Sequence, residues 1–288
     1  MERMGICGLE LHLAILQSTG REEVNLRLPD SANLPQKQTI ALNPTKIEVV
    51  RKTVGRSRYV AIIGGRPGSR LINGRQPVSW FIRDAKAQAG INGAFFVMAA
   101  IRSKNSAMIG PVLAENGPGF VPCKPGVNSE KLEGRPYVIW NNQQITFVPY
   151  QPDMNEAEGT KAEVSDAVGA FVAGAWLVQN GRALTAKEIR LHGPRDTEQP
   201  RHRAMFGITN NGQVFIAASL DSVTSSMMAK AAAEYGCQAA ALMDSGFSTS
   251  LVIGSKTLVS GHSTSKQPSR PVPHALVLYG DLSPSLSQ

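Results

Sequence analysis

Residues 214–244 read VFIAASLDSVTSSMMAKAAAEYGCQAAALMD, and this stretch is the strongest indicator of the fold. Two apolar runs, Val214 to Leu220 and Ala239 to Met243, flank a segment with helical spacing from about Ser222 to Tyr235. A strand, a helix and a strand in this order predict a right-handed crossover that joins two parallel strands.

Each of the two apolar runs ends in an aspartate, Asp221 after the first and Asp244 after the second. The carboxyl ends of parallel strands are where α/β sheets place ligand sites. A carboxylate just after a buried strand is partly desolvated, so its protonation can be tuned, and Gly246 allows a ligand to approach the backbone. The same Asp-Ser-Gly pattern is also typical of a turn whose aspartate caps local amides. The pattern alone leaves these two interpretations balanced.

Two-residue turns recur between strand-like runs. They are Asn141-Asn142, Asn180-Gly181, Asn211-Gly212 and Gly254-Ser255. Such pairs tolerate positive φ and are typical of tight hairpins, which favours antiparallel pairing. Another helix is predicted from about Val78 to Ala89, with Ser79 as a possible N-cap and Gly90 as its stop. The predicted fold class is therefore α+β, a mixed, mainly antiparallel sheet with packed helices and one βαβ crossover.

The chain has 288 residues, of which 42% are hydrophobic and 18% are charged, so it can bury a core as one large domain or two small ones. Residues 1–45 are weakly patterned and are predicted to form an arm or linker. Residues 46–282 are predicted to form a single domain, and residues 283–288 a C-terminal tail.

The net charge is +8, and a basic surface attracts nucleic acid, anionic membranes or phosphorylated substrates. The basic residues are spread out, without a Lys/Arg tract or interleaved aromatic residues, so no specific nucleic-acid site is predicted. The three cysteines, Cys7, Cys123 and Cys237, form no CxxC pair, and no histidine pairing suggests a metal site. The sequence therefore predicts neither a metal nor a cofactor.

No apolar run approaches the length of a membrane span. The apolar stretch from Ile6 to Leu16 is interrupted by Glu10 and His12, which makes it a poor signal peptide. The compartment is therefore unassigned, with the cytoplasm expected if the chain is complete, and the oligomeric state is unassigned as well.

Polar residues in other segments are candidates for ligand binding. Asn92-Gly93 interrupts an apolar step, and an asparagine amide can both donate to and accept from a sugar hydroxyl, although a turn or bulge is the alternative. The densest basic segment, from Arg190 to Arg203, fits a phosphate clamp because a guanidinium matches phosphate oxygens. Arg203 directly precedes an apolar run, whereas Arg190, Arg195 and Arg201 are interpreted as charges of a surface loop.

Six segments, in this order, resemble the motifs of the phosphodiester glycosidase family. They are Asn92-Gly93-Ala94-Phe95-Phe96, Ile109-Gly110-Pro111-Val112-Leu113 with Asn116-Gly117, Ala175–Gly181, Arg203-Ala204-Met205-Phe206-Gly207, Met243-Asp244-Ser245-Gly246-Phe247-Ser248 and Arg270-Pro271-Val272-Pro273-His274. The mammalian member of this family is the lysosomal "uncovering enzyme", which removes N-acetylglucosamine from mannose-6-phosphate diesters. The resemblance spans roughly residues 46 to 280.

The resemblance implies a hydrolase that cleaves the glycosidic bond of a small-molecule or glycan sugar-1-phosphodiester and releases free sugar and a phosphomonoester. Phosphate is a good leaving group, so the site needs positive charge for the phosphate and a base or nucleophile at the anomeric carbon. We assign the carboxylate role to Asp244, with Asp221 as the second carboxylate, and the phosphate to Arg203 and Arg270. The other expected substrate-binding residues are Asn92, Gly93, Gly246, Ser248, Thr249 and His274.

The chain departs from the family motifs at several positions. Ser245 and Phe247 stand where the family has glycines, Ala204 where it has threonine, and His274 where it has asparagine. Two alternatives therefore remain open. One is a serine hydrolase that uses Ser248, because the segment begins like the nucleophile elbow Gly-x-Ser-x-Gly. The other is a non-catalytic module that sequesters a sugar phosphate or nucleotide.

Overall fold

The structure is a computed structural model that describes residues 35–97, 107–117, 119–124, 126, 129–262 and 267–284. Within these residues, eighteen strands form three sheets, accompanied by four short α-helices. Every strand ladder among them is antiparallel. The mainly antiparallel sheet is therefore confirmed, and the molecule is richer in strand than in helix.

The first sheet contains the hairpin predicted at Asn141-Asn142. Its strand order is β1 (Gln38–Ala41), β9 (Gln144–Pro149), β8 (Pro136–Trp140), β10 (Gly169–Val172), β6 (Val112–Leu113) and β7 (Phe120–Val121). Because β1 pairs with β9 along its whole length, the sheet begins inside the stretch 1–45 that the sequence assigns to an arm. A four-residue edge strand of this kind carries too little periodic pattern to be recognised from the sequence alone.

The second sheet contains the largest number of adjacent buried strands. Its strand order is β12 (Arg182–Ala183), β11 (Ala175–Gln179), β15 (Cys237–Leu242), β13 (Ala204–Thr209), β14 (Val214–Ser219), β3 (Ser57–Ile63) and β2 (Glu48–Val54). The hairpins predicted at Asn180-Gly181 and Asn211-Gly212 are confirmed. Asn180 has φ +50° and Gly181 has φ +74°, which is the backbone that a tight hairpin turn requires.

The third sheet contains strands whose ends lie next to the candidate site. Its strand order is β17 (Lys256–Ser260), β16 (Ser250–Ile253), β5 (Ala89–Asn92), β18 (Val272–Tyr279) and β4 (Arg66–Gln76). The hairpin at Gly254-Ser255 is confirmed. Beyond this sheet, Ser283 N donates to Ile47 O at 2.8 Å, so residues at the two predicted domain boundaries meet.

The predicted crossover exists, but a third strand lies inside it. The helix α4 (Ser225–Glu234) connects β14 to β15, and both strands pair antiparallel with β13. β14 and β15 therefore run in the same direction but are not neighbours. The predicted crossover between two parallel strands is therefore present, and β13, which precedes β14 in a hairpin, lies between the two strands.

The remaining helices are α1 (Val78–Ala85), α2 (Ala157–Glu163) and α3 (Ala186–Leu191). Helix α1 ends earlier than predicted because Lys86 adopts the left-handed conformation, and Gly90 lies in β5. Its N-cap is Pro77 instead of Ser79. The capping residue of α4 is Thr224, whose hydroxyl accepts from Met227 N, and Met228 is the buried methionine of this helix.

Aromatic side chains join the first sheet to the second. Trp140 stacks on Phe206 with ring centroids 6.1 Å apart, and Phe171 meets Phe206 edge to face at 5.6 Å. Phe147 reaches both Phe206 and Trp176. All five rings are buried, so β13 is held at the centre of the core by its single phenylalanine.

We expect Phe206→Ala to lower the free energy of unfolding by about 3–5 kcal/mol, because it removes the ring on which the others pack and leaves a cavity. Urea denaturation followed by tryptophan fluorescence measures this change. Leu191→Ala is the control, since that side chain is 53% exposed and should cost little. An equal loss of stability in both variants would contradict the central role of Phe206.

Candidate functional site

Asp244 lies directly beyond β15, in a loop whose backbone is fixed on both sides. Met243 N donates to Ala204 O at 2.9 Å, and Asp244 N donates to Gly93 O at 3.3 Å. Gly246 has φ +69°, a conformation that favours glycine, and its N–H donates to His202 O at 2.8 Å. The carboxylate is therefore presented by a loop anchored to the second and third sheets.

Burial raises the pKa of the Asp244 carboxyl to about 6. The Ser248 hydroxyl, the Ser245 amide and the guanidinium groups of Arg270 and Arg201 act in the opposite direction and favour the charged form. Ser245 N donates to Asp244 Oδ1 at 2.9 Å. The carboxylate is half-buried and mostly ionised at pH 7, yet it is protonated readily just below that pH.

Ser248 lies in a short 3-10 turn, Gly246–Ser248, and its side chain is fully buried. Its Oγ approaches the Asp244 carboxylate closely enough to lower that pKa, but reaches hydrogen-bonding geometry with no group in the described part of the chain. A buried hydroxyl without a partner is uncommon because its desolvation is uncompensated. This hydroxyl is available to a ligand or water beside Asp244.

The Asn92 side chain is used within the protein. Its Nδ2 donates to Asp244 O at 2.7 Å, and its Oδ1 accepts from Ser250 N at 3.0 Å. The residue is fully buried at the end of β5. The structure therefore places Asn92 as a support for the Asp244 loop, not as a group that faces a sugar.

His274 and Gly93 form the other side of this support. His274 Nδ1 accepts from Ala94 N at 2.9 Å, so its Nε2 carries the proton and donates to Ser69 Oγ at 3.0 Å. Burial lowers the pKa of His274 to about 3, so the ring is neutral. A Cβ at residue 93 would collide with this imidazole, which explains the glycine. Both expected ligand-binding residues therefore pack against each other.

Arg203 is buried, and its guanidinium is bound to backbone carbonyls. It donates to the carbonyl oxygens of Thr197 at 2.7 Å, Gln199 at 2.6 Å, Asp196 at 3.2 Å and Val223 at 3.3 Å. Burial lowers its pKa to about 10. Arg203 therefore organises the loop over residues 196–199 instead of presenting its charge to a phosphate.

Arg201 and Arg270 are the cations whose charges act on Asp244. Arg201 forms an ion pair with Asp196 at 3.0 Å and lies beside Gly246, and Arg270 N donates to Phe247 O at 2.7 Å. The Arg270 guanidinium lies 5.8 Å from the centroid of the Phe247 ring. The sequence interpretation placed Arg201 in a surface loop. Its position two residues before Arg203, in an extended segment, is the sequence feature that indicates a place at the site.

Thr249 is also structural, since its hydroxyl donates to His202 O at 3.0 Å and its carbonyl accepts from Ser269 Oγ at 2.6 Å. Gly246 and Thr249 thus attach to the same His202 carbonyl. Of the expected substrate-binding residues, the structure brings Arg270 and Ser248 to the Asp244 carboxylate and uses the others to hold its loop.

Asp221 has a different environment. Arg58 binds its carboxylate through Nη2 at 2.7 Å, Nε at 3.2 Å and the backbone N–H at 2.8 Å. This hydrogen bonding lowers the pKa of Asp221, so it stays ionised. The group lines a cavity of about 500 Å³, termed the Asp221 cavity, whose polar wall consists of Arg58, His202, Asp221, Ser222, Thr257, Ser260 and His262.

Two further features bear on cofactors and membranes. Within the described residues, no group of three His, Cys, Asp or Glu side chains is arranged to hold a metal ion. No helix in that same part of the chain is long and apolar enough to cross a membrane.

Comparison with known proteins places these features in a family context. The family model described as phosphodiester glycosidase matches residues 85–279. Among solved structures, the catalytic domain of zebrafish N-acetylglucosamine-1-phosphodiester alpha-N-acetylglucosaminidase, auto-inhibited by its pro-peptide, is similar with 13% identity and a TM-score of 0.62 over 85% of this chain and 88% of that chain. A hypothetical protein from Synechocystis is similar with 14% identity and a TM-score of 0.53 over 80% and 61%.

No protein with a curated description matches the chain in sequence. At these identities, the solved structures show the shared fold, whereas the family match confirms the resemblance carried by the six motifs. The family comprises glycosidases, so hydrolase chemistry is supported at the level of the family.

We expect Asp244→Asn to stabilise the protein by roughly 1–2 kcal/mol at pH 7.5. The folded-state pKa, about 6, lies above the unfolded value of 3.8, so ionisation opposes folding, and this penalty is fully present above pH 6. Denaturant unfolding at pH 7.5 and pH 3.5 measures it. Below pH 3.8 the carboxyl is neutral in both states, so the gain should vanish there. A gain that does not change with pH would contradict the desolvation of Asp244.

Proposed function

Because the chain belongs to the phosphodiester glycosidase family, we propose that it hydrolyses the glycosidic bond of a sugar-1-phosphodiester and releases free sugar and a phosphomonoester. The observation that carries this proposal is the half-buried Asp244 carboxylate, with its pKa raised to about 6, beside the cations Arg201 and Arg270. A carboxylate poised near neutrality next to positive charge fits attack at an anomeric carbon whose leaving group is a phosphate.

Arg201 and Arg270 take the phosphate role in this proposal. Both are half-buried, so each guanidinium keeps N–H groups open to a ligand. Two planar donors near one carboxylate can stabilise the charge that develops on the departing phosphate. Arg203 contributes indirectly, because its bonds to the carbonyls of residues 196–199 fix the loop that carries Asp196, the ion-pair partner of Arg201.

Asp244 supplies the attacking group, either directly or through a water molecule. At pH 7 its carboxylate is mostly ionised and so competent as nucleophile or base. Ser248 Oγ, buried and unpartnered within the described residues, would donate to that water or to a sugar hydroxyl.

Asp221 does not serve as a general acid in this mechanism. Its carboxylate is held ionised by Arg58, and a group with a lowered pKa carries no proton to donate at neutral pH. The phosphate leaving group removes the need for such a donor, because the phosphomonoester departs from the anomeric carbon as an anion without prior protonation. One carboxylate and two guanidinium groups therefore suffice for the proposed reaction.

The sugar of the substrate is taken by analogy to be N-acetylglucosamine or a related hexose, since the zebrafish relative is named for that sugar. The serine hydrolase alternative receives no support. Ser248 Oγ has no hydrogen-bonded histidine in the described part of the chain, whereas an activated serine needs an adjacent base. A module that binds without turnover is an outcome of the following test.

We expect the wild-type protein to release free sugar from methyl or aryl diesters of sugar-1-phosphates, and Asp244→Asn to lower kcat/KM by about 10²-fold or more. The wild-type kcat/KM should fall below pH 6, because protonation removes the attacking carboxylate. Asp84→Asn, which breaks an exposed ion pair with Arg70, is the control and should retain activity. Ligand binding without sugar release would refute hydrolysis and indicate a sequestering module.

Ser248→Ala provides a separate test. We expect kcat to fall roughly tenfold while the free energy of unfolding changes by less than about 1 kcal/mol, because the hydroxyl interacts with the Asp244 carboxylate but meets hydrogen-bonding geometry with no described group. Thr160→Val is the matched control, since it removes a buried hydroxyl that is 2.7 Å from Tyr137 Oη. The control should lose stability and keep kcat. A full kcat in Ser248→Ala would exclude the serine from the reaction.

A further inference from the structure

The Asp221 cavity adjoins the Asp244 loop through two shared elements. His262, on its wall, stacks on Phe247 with ring centroids 4.7 Å apart and an interplanar angle of 19°. His202, also on its wall, accepts from Gly246 N and Thr249 Oγ1 through its carbonyl. A ligand in the cavity therefore lies against the same residues that position the candidate catalytic loop.

The cavity has the size and the balanced charge of a site for a neutral polar ligand. Its volume of about 500 Å³ lies within the range of small-molecule pockets. The formal charges of Arg58 and Asp221 cancel, since the two groups are joined by a bidentate ion pair. The ionised Asp221 carboxylate would repel an anionic phosphate in the cavity, whereas it would not repel an uncharged ligand.

His202 adds an imidazole ring to the same wall. Its Nδ1 lies 3.2 Å from Ser219 O, and a carbonyl oxygen only accepts, so Nδ1 carries the proton. Only 8% of the residue is exposed, and it is on the cavity wall.

The wall therefore combines donors and acceptors over a short distance. Arg58 supplies N–H donors, Asp221 supplies acceptors, and the hydroxyls of Ser222 and Thr257 act as either. Leu220, Leu258 and Val259 add apolar contact on the same wall. The polar groups of the wall can hydrogen-bond the hydroxyls of a sugar ring. The apolar side chains beside them can contact the C–H face of the ring.

We infer that the Asp221 cavity is the subsite that binds the sugar ring of the substrate, with Asp221 as a sugar-binding residue held in place by Arg58. The choice of a sugar rests on the proposed function. The phosphate then lies on the Arg201 and Arg270 side of the Asp244 loop.

The test uses saturation-transfer NMR on the full chain carrying Asp244→Asn, which binds without turnover, with free N-acetylglucosamine, glucose and mannose as probes. We expect at least one sugar to bind, and added Asp221→Asn to weaken that sugar roughly tenfold, as the loss of hydrogen bonds to a charged group predicts. Added Asp84→Asn is the control for removing an ion-paired carboxylate of similar exposure. Binding of none of the sugars, or equal binding in both variants, would overturn the inference.

A second variant separates ligand contact from local disorder. Thr257→Tyr places bulk in the cavity from an exposed position of β17, where an aromatic residue is tolerated. It should abolish sugar binding while the midpoint of thermal unfolding stays near that of the parent. Unchanged sugar binding in Thr257→Tyr would also overturn the inference.

Kinetics on the otherwise unmodified chain distinguish this inference from the proposed function. In Asp221→Asn we expect KM for a sugar-1-phosphodiester to rise roughly tenfold with kcat within about threefold. Hydrolysis with the same KM in Asp221→Asn and Asp84→Asn would refute the subsite and leave the proposed function standing. Sugar binding that depends on Asp221, without hydrolysis of any diester, would support the subsite and refute the proposed function.

Discussion

The side-chain amide of Asn92 is the interaction on which the candidate site depends. It donates to Asp244 O and accepts from Ser250 N, so it joins the loop after β15 of the second sheet to two strands of the third. The backbone hydrogen bonds of an antiparallel sheet lie within that sheet, so they do not fix its position relative to another sheet. A buried amide that uses both its donor and its acceptor supplies that link, and leaving either partner unpaired would cost about 1–3 kcal/mol.

The same arrangement recurs in the residues around Asp244. His274 holds Ala94 N, Arg203 holds the carbonyls of residues 196–199, and the His202 carbonyl holds Gly246 and Thr249. Backbone groups outside sheet ladders are thus satisfied by buried side chains, and in the case of Gly246 by the backbone carbonyl of His202. This rigid surround allows one carboxylate to remain desolvated, with a raised pKa, although its ionisation opposes folding.

Two of the four departures from the family motifs, Ser245 and Phe247, lie where this surround meets solvent, whereas Ala204 and His274 are buried. Phe247, which replaces a glycine, is 57% exposed and packs between His262 and Arg270. Ser245 instead turns its hydroxyl onto Met243 O at 3.0 Å. The side chains of Ser245 and Phe247 therefore change the rim of the site, whereas the backbone of Asp244 stays in its loop. Such positions govern which ligands fit, because loops on a rigid scaffold carry specificity.

The sequence alone determined the features that depend on neighbouring residues. The hairpin at Asn180-Gly181 follows from positive φ at two adjacent positions, and the place of Asp244 follows from the buried strand before it. Only the tertiary structure decided the roles of the polar side chains. Asp221 meets Arg58 across 163 positions, and β13 separates β14 from β15. The physical reason is that a charged or amide group takes its function from the partner it meets, and that partner is set by strand order, which local pattern does not encode.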